Sequence, residues 1–184
     1  MRGRRARGEE GAALVEFAIV APLLIMLVVG MAEFGLVFKD RLSVSAATQA
    51  GARVGSTLGT DDGADYAILE AVRANISGNI DLDRVTSVEI FEDLGGGTIG
   101  QSNSYVPDTG ACGWSPCPQP PSPNYGGSWD PAGRDDALPG LDVLGVRINY
   151  QHDWITSVLP FMSSPANFSE TARVRIEPAG LEQS

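Results

Sequence analysis

Residues Ala12 to Phe38 read AALVEFAIVAPLLIMLVVGMAEFGLVF, and only Glu16 and Glu33 among these 27 residues are ionisable. As a helix rising about 1.5 Å per residue the run extends roughly 40 Å. That exceeds a bilayer hydrocarbon core of roughly 30 Å, so the segment can span one. Pro22 removes a backbone donor, which membrane helices tolerate better than soluble ones. Immediately upstream, Met1 to Gly11 carries Arg2, Arg4, Arg5 and Arg7 against Glu9 and Glu10, a net of +2. Because the whole chain carries −10, the remaining 173 residues carry −12. A basic tip directly before an apolar run is the pattern of a cytoplasmic flank, with the following domain translocated. The expected organisation is a basic cytoplasmic leader over 1–11, a transmembrane helix over 12–38 and an extracytoplasmic head over 39–184.

A carboxylate near the bilayer centre costs about 2.5–3.5 kcal/mol on insertion scales, and less near a helix end. Glu16 therefore either sits at headgroup depth and is solvated there, or has a partner and a function. Its surroundings add a resemblance. Gly11-Ala12-Ala13-Leu14-Val15-Glu16-Phe17 resembles a prepilin peptidase site, in which cleavage follows the glycine and an acid occupies the fifth mature position. The wider string, with Gly11, the small pair Ala12-Ala13, Val15-Glu16-Phe17 and Pro22, resembles the TadE-like pseudopilins of tight-adherence (Tad) pilus systems. This resemblance covers Gly8 to about Gly59.

The resemblance implies a processed minor pilin or pseudopilin. Its implied partners are a prepilin peptidase, other pilin and pseudopilin subunits, the inner-membrane Tad assembly machinery and the lipid bilayer. The mature length of 173 residues is large for the small major pilin of such systems. The chain lacks the length and the DxSxS motif of the longer TadG-like relatives. Cleavage after Gly11 would expose a protonated amine on Ala12, and Glu16 lies one helical turn away. It can neutralise that amine in its own chain or in a neighbour, and an unpaired charge inside a helical bundle is costly. A rival site is the small-x-small pattern Gly30-Met31-Ala32, where signal peptidase would release a secreted domain. The region before it is long for a signal peptide and contains Glu16.

Beyond Lys39, Asp40 and Arg41, which fit the outer interface, apolar residues continue at mostly helical intervals through Leu36, Phe38, Leu42, Val44, Ala47 and Ala50. One helix from Ala12 to Leu58 is expected, with Ala46, Ala47, Ala50 and Ala52 small enough for close packing. The alternative is a break near Lys39. A second helix over 63–76 follows. Asp61, Asp62 and Asp65 fit helix-end capping better than calcium, for which the EF-hand alternation is missing. Strands are expected over Val85–Glu92, Leu141–Gln151 and Glu170–Glu177, antiparallel, with Arg173 and Arg175 on a solvent face. The fold class is α+β: a long N-terminal helix and a small pilin-like head with a short antiparallel sheet.

Residues 94–139 hold nine Gly and eight Pro in 46 positions, a composition that argues against regular structure. This insert contains both cysteines, Cys112 and Cys117. Outside the cytoplasm they are expected to form a structural disulfide; the four-residue spacing is not that of a redox pair. Tyr105, Trp114, Tyr125 and Trp129 either face a partner or pack on the sheet. This leaves a second functional class open: a membrane-anchored or secreted binding module that uses the insert as a recognition surface.

Other chemistries have little to stand on. A chain this acidic is poorly suited to nucleic acid, which is bound through clustered Lys and Arg. One histidine and two cysteines preclude most multi-ligand His/Cys metal sites. There is no GxSxG, phosphate-binding glycine loop or HExxH. His152, beside Asp153, reads as a satisfied strand-end histidine. No catalytic residues, metal or cofactor are expected.

Overall fold

The computed structural model describes residues 6–76, 81–156 and 164–178. Its first element, α1 (Ala6–Leu58), is one helix of 53 residues that runs through Lys39 without a break. It ends where Gly59-Thr60-Asp61-Asp62-Gly63 forms a turn, with Asp61 N donating to Leu58 O at 2.8 Å. The chain divides into two compact units. One comprises residues up to Phe38 together with Asp153–Pro165. The other comprises Lys39–His152 with the C-terminal segment from Ala166.

The second unit is an α+β domain. It contains the C-terminal part of α1, a second helix α2 (Ala64–Ile76), and strands β1 (Val85–Asp93), β2 (Ile99–Pro107), β3 (Trp114–Ser115), β4 (Val143–His152) and β5 (Ala166–Arg175). The sheet order is β3-β2-β1-β4-β5 and every adjacent pair is antiparallel. Alternation along β4 explains the layering: Leu144, Val146, Ile148, Tyr150 and His152 are buried on one face. Leu144, Val146, Ile148 and Tyr150 meet Ile68, Leu69, Val72 and Ile76 of α2 and Val44, Ala47 and Ala52 of α1 in one core. Glycines at 51, 55 and 59 make this approach possible. A Cβ at Gly51 would lie 2.8 Å from Val72, at Gly55 2.9 Å from Leu144, and at Gly59 2.6 Å from Ile176.

The opposite sheet face is polar. Glu89, Arg147 and Thr171 lie in register across β1, β4 and β5. Arg147 Nη1 donates to Glu89 Oε2 at 3.1 Å and its Nε to Thr171 Oγ1 at 3.3 Å. Phe91 is a buried apolar residue on this face: it lies between Gly145 and the Arg147 guanidinium, 5.1 Å from its ring centre. Arg173 and Arg175 are exposed here, as the alternation predicts.

The insert departs from its expected irregularity. Gly95, Gly96 and Gly97, all with positive φ, turn β1 into β2, and the insert then forms a nine-residue strand that pairs with β1 between Ile99 and Tyr105. The glycine and proline count misled because most of those residues lie outside 99–107, which holds only Gly100 and Pro107 near its ends.

Candidate functional site

Within the first unit, the apolar part of α1 presents Leu14, Phe17, Ile19, Leu23, Leu24, Ile25, Met31 and Phe34 as exposed side chains. These point all around the helix, so no intramolecular face buries them. An apolar surface this continuous needs lipid or partner helices to cover it. By length and composition α1 from Gly11 onward is a candidate membrane span. Gly11, Ala12, Glu16, Phe17 and Pro22 are all on this helix and exposed, except that nothing close surrounds even a Cβ placed at Gly11. The fold itself therefore does not require glycine at position 11. Glu16 has no hydrogen-bond or ion-pair partner among the described residues.

Glu33 is the contrast. Its flanking residues Ala32 and Phe34 are exposed, yet Glu33 is only 2% exposed. Its carboxylate accepts from Thr156 N at 2.6 Å, Thr156 Oγ1 at 2.9 Å and Ile155 N at 3.3 Å. These donors belong to the β4–β5 connection, which is part of the same unit. Sequence reasoning identified Glu33 as a charge in an apolar run but had no signal for donors more than 120 positions away.

In the α+β domain, Asp40 is turned inward instead of marking an interface beside Lys39 and Arg41. It is 6% exposed, its Oδ2 lies 2.7 Å from His152 Nδ1, and it accepts from Arg84 Nη1 at 3.2 Å. His152, at the end of β4, is held through Nδ1 by Asp40. Tyr150, on the same face of β4, has its phenol pushed up to about 12, chiefly by burial and then by the nearby Glu170 and Asp40 carboxylates.

Asp65 also corrects its expected role. It does not serve as a solvated helix-end cap: it is fully buried and ion-paired to the equally buried Arg134. Asn103 Nδ2 and Tyr105 OH donate to its other oxygen at 2.8 and 2.6 Å. Asn103 Nδ2 also donates to Trp129 O at 2.7 Å, and Arg134 Nη1 to Gly59 O at 3.1 Å. The guanidinium lies over the Trp129 ring, 4.3 Å from its centre. Burial, then the Asp65 charge and hydrogen bond, raise the Tyr105 phenol far above its ordinary range. The insert is thus pinned to α2 and to the end of α1 by one polar cluster that a buried charge pair makes obligatory.

Cys112 and Cys117 form a disulfide. The ring they close carries Trp114, whose Nε1 donates to Glu70 Oε1 at 3.3 Å, while Arg73 Nη2 donates to Gly113 O at 2.7 Å. Tyr105, Trp114 and Trp129 are buried. Three of the four insert aromatics therefore pack inward, which removes the aromatic recognition surface on which a binding-module reading would draw. Tyr125, half-buried, donates to Asp62 O at 2.9 Å. Among the described residues no group of three or more His, Cys, Asp or Glu side chains is placed to hold a metal ion.

A long helix with an uncovered apolar N-terminal part, leading into an α+β domain with a five-stranded antiparallel sheet, defines a protein with a candidate membrane anchor and a folded domain behind it. One family comparison can be given for the helix: residues 11–53 match the model of the TadE-like proteins. The match lies wholly within α1. No curated protein and no solved structure matches the chain.

Proposed function

We propose that this chain is a minor pilin or pseudopilin of a Tad-type pilus, a structural or assembly component and not an enzyme. It inserts through α1 with its N-terminus cytoplasmic, is cleaved after Gly11 by a prepilin peptidase, and joins other pilin and pseudopilin subunits and the inner-membrane assembly machinery through the same helix. The observation that carries this reading is Glu16: an unpartnered carboxylate among exposed apolar side chains, one turn from the residue that cleavage would make the new N-terminus. An intramolecular purpose for that acid is missing, whereas an Ala12 ammonium, its own or a neighbour's, supplies one. Gly11 supports the same reading, since the helix gains nothing from a glycine there and glycine costs a helix interior about 0.5–1 kcal/mol relative to alanine.

The test is the intact mass and N-terminal sequence of protein extracted from its host's membranes, combined with Glu16→Ala. A chain beginning at Ala12, and a variant that still inserts but no longer supports piliation, are expected. A chain beginning at Glu33 would replace the pilin reading with a secreted domain. Normal piliation by the variant would remove the charge-pairing role of Glu16.

A further inference from the structure

We propose that Trp154–Thr156, at the start of the β4–β5 connection, is a second lipid-contacting element, entering the leaflet on the Lys39 side of the membrane beside α1. This rests on the reading of α1 as a membrane span. Glu33 precedes Lys39 by six residues, about 9 Å of helix rise, which places its carboxylate below the headgroups if Lys39 lies among them. Neither partner in the Glu33 contact tolerates lipid alone. A bare carboxylate is costly there, and so are the N–H groups of a non-helical backbone. Joined, they satisfy each other: Ile155 N, Thr156 N and Thr156 Oγ1 all donate to Glu33. This is the condition under which irregular backbone is admitted at membrane depth.

The surrounding chemistry fits acyl chains as the partner. Ile155 is 73% exposed while its own backbone is engaged. It borders an apolar crevice of about 110 Å³ with Val29, Ala32 and Leu36. Trp154, whose indole N–H donates to Ser164 O at 3.0 Å, is a residue type suited to the membrane–water boundary.

The test uses the full chain in phosphatidylethanolamine/phosphatidylglycerol vesicles. An NBD fluorophore is attached at Ile155→Cys, at Leu24→Cys on α1, or at Gln101→Cys on exposed β2. Quenching by aqueous iodide is compared with quenching by nitroxide-labelled lipid. The expected result is that the Ile155 label, like the Leu24 label, loses most of its iodide quenching relative to Gln101 and is quenched by lipid, most strongly by a shallow nitroxide. Adding Glu33→Ala restores iodide quenching at 155 but not at 24. Lipid quenching at 24 with full iodide quenching at 155 overturns this proposal and leaves the membrane reading intact. Iodide quenching at both positions overturns both. Protection at 155 without lipid quenching means a protein surface, such as a second copy, covers the connection, and overturns the lipid assignment.

Discussion

Replacing Arg134 by methionine tests whether the insert is held by the buried cluster. Methionine keeps much of the apolar stem and removes the guanidinium. Asp65 then remains fully buried with only Asn103 and Tyr105 as donors, and Gly59 O and Trp129 O each lose a hydrogen bond from the arginine. Removing one partner of a buried pair costs about 3–5 kcal/mol. The two remaining donors to Asp65 favour the lower half of that range, about 3–4 kcal/mol. Set against a typical domain stability of about 5–15 kcal/mol, this is a large fraction. With a urea slope of about 1.5–2 kcal/mol per molar for a domain of this size, the midpoint falls by about 2 M.

The assay is urea unfolding of the full chain in detergent, followed by tryptophan fluorescence. Trp129 reports directly, because the guanidinium lies on its ring. Limited proteolysis in parallel should show earlier cutting within 94–139. The double variant Asp65→Asn/Arg134→Met removes the uncompensated charge, so it should be less destabilised than the sum of the two single variants, by about 1–3 kcal/mol. If Arg134→Met shifts the midpoint by less than about 0.5 M and leaves the insert equally resistant to protease, the cluster does not hold the insert and the reasoning fails.

Two further predictions concern the same domain. Gly145→Ala would place a Cβ 2.3 Å from Phe91 Cζ, in a site where Phe91 is only 1% exposed. Overpacking of this kind costs about 1–3 kcal/mol, so a thermal scan should show Tm lowered by at least about 3 °C. Raised folded-state phenols make stability fall at alkaline pH. Tyr105 and Tyr150 stay protonated in the fold while their unfolded counterparts titrate near pH 10, so their contribution is complete below about pH 10. Above it, stability declines by about 1.4 kcal/mol per pH unit for each tyrosine. For Tyr150 the decline ends near its folded value of about 12. Tyr150→Phe should flatten the slope of urea-derived stability between pH 10 and 11, and an unchanged slope would contradict the assignment.

The helices were legible because their signals are local. The apolar run fixes α1, Gly59 and Gly63 punctuate it, and Ile68, Leu69, Val72 and Ile76 give α2 a single apolar face. β4 and β5 were legible from alternation, with boundaries off by a few residues at their ends. β2 was not. Its only buried residues are Asn103 and Tyr105, so a reading that looks for alternating aliphatics finds a strand whose inward face is polar and passes over it. One signal could have exposed the cluster: Arg134 is the only cation in residues 94–139, an isolated charge among glycines, prolines and aromatics. Its partner, Asp65, lies in another element, and pairing at a separation of 69 positions is set by the folded topology, not by spacing.

The three acids along α1 from Ala12 onward show how the helix treats its charges. Asp40 is paired with His152 and Arg84. Glu33 is satisfied by the backbone and hydroxyl of the β4–β5 connection. Glu16 has no partner among the described residues. With two carboxylates met internally, the proposed function has the third met from outside the chain's own fold. Cleavage after Gly11 would take away every arginine that precedes Glu16. The nearest cation along the chain would then be the Ala12 amine, created by the cleavage itself. On that account processing and charge pairing are one event: the cut that removes the basic leader also makes the group that Glu16 needs. On the proposed reading a neighbour's Ala12 amine would meet the same need as well as the chain's own, and would give the exposed apolar helix a defined axial position against a second subunit.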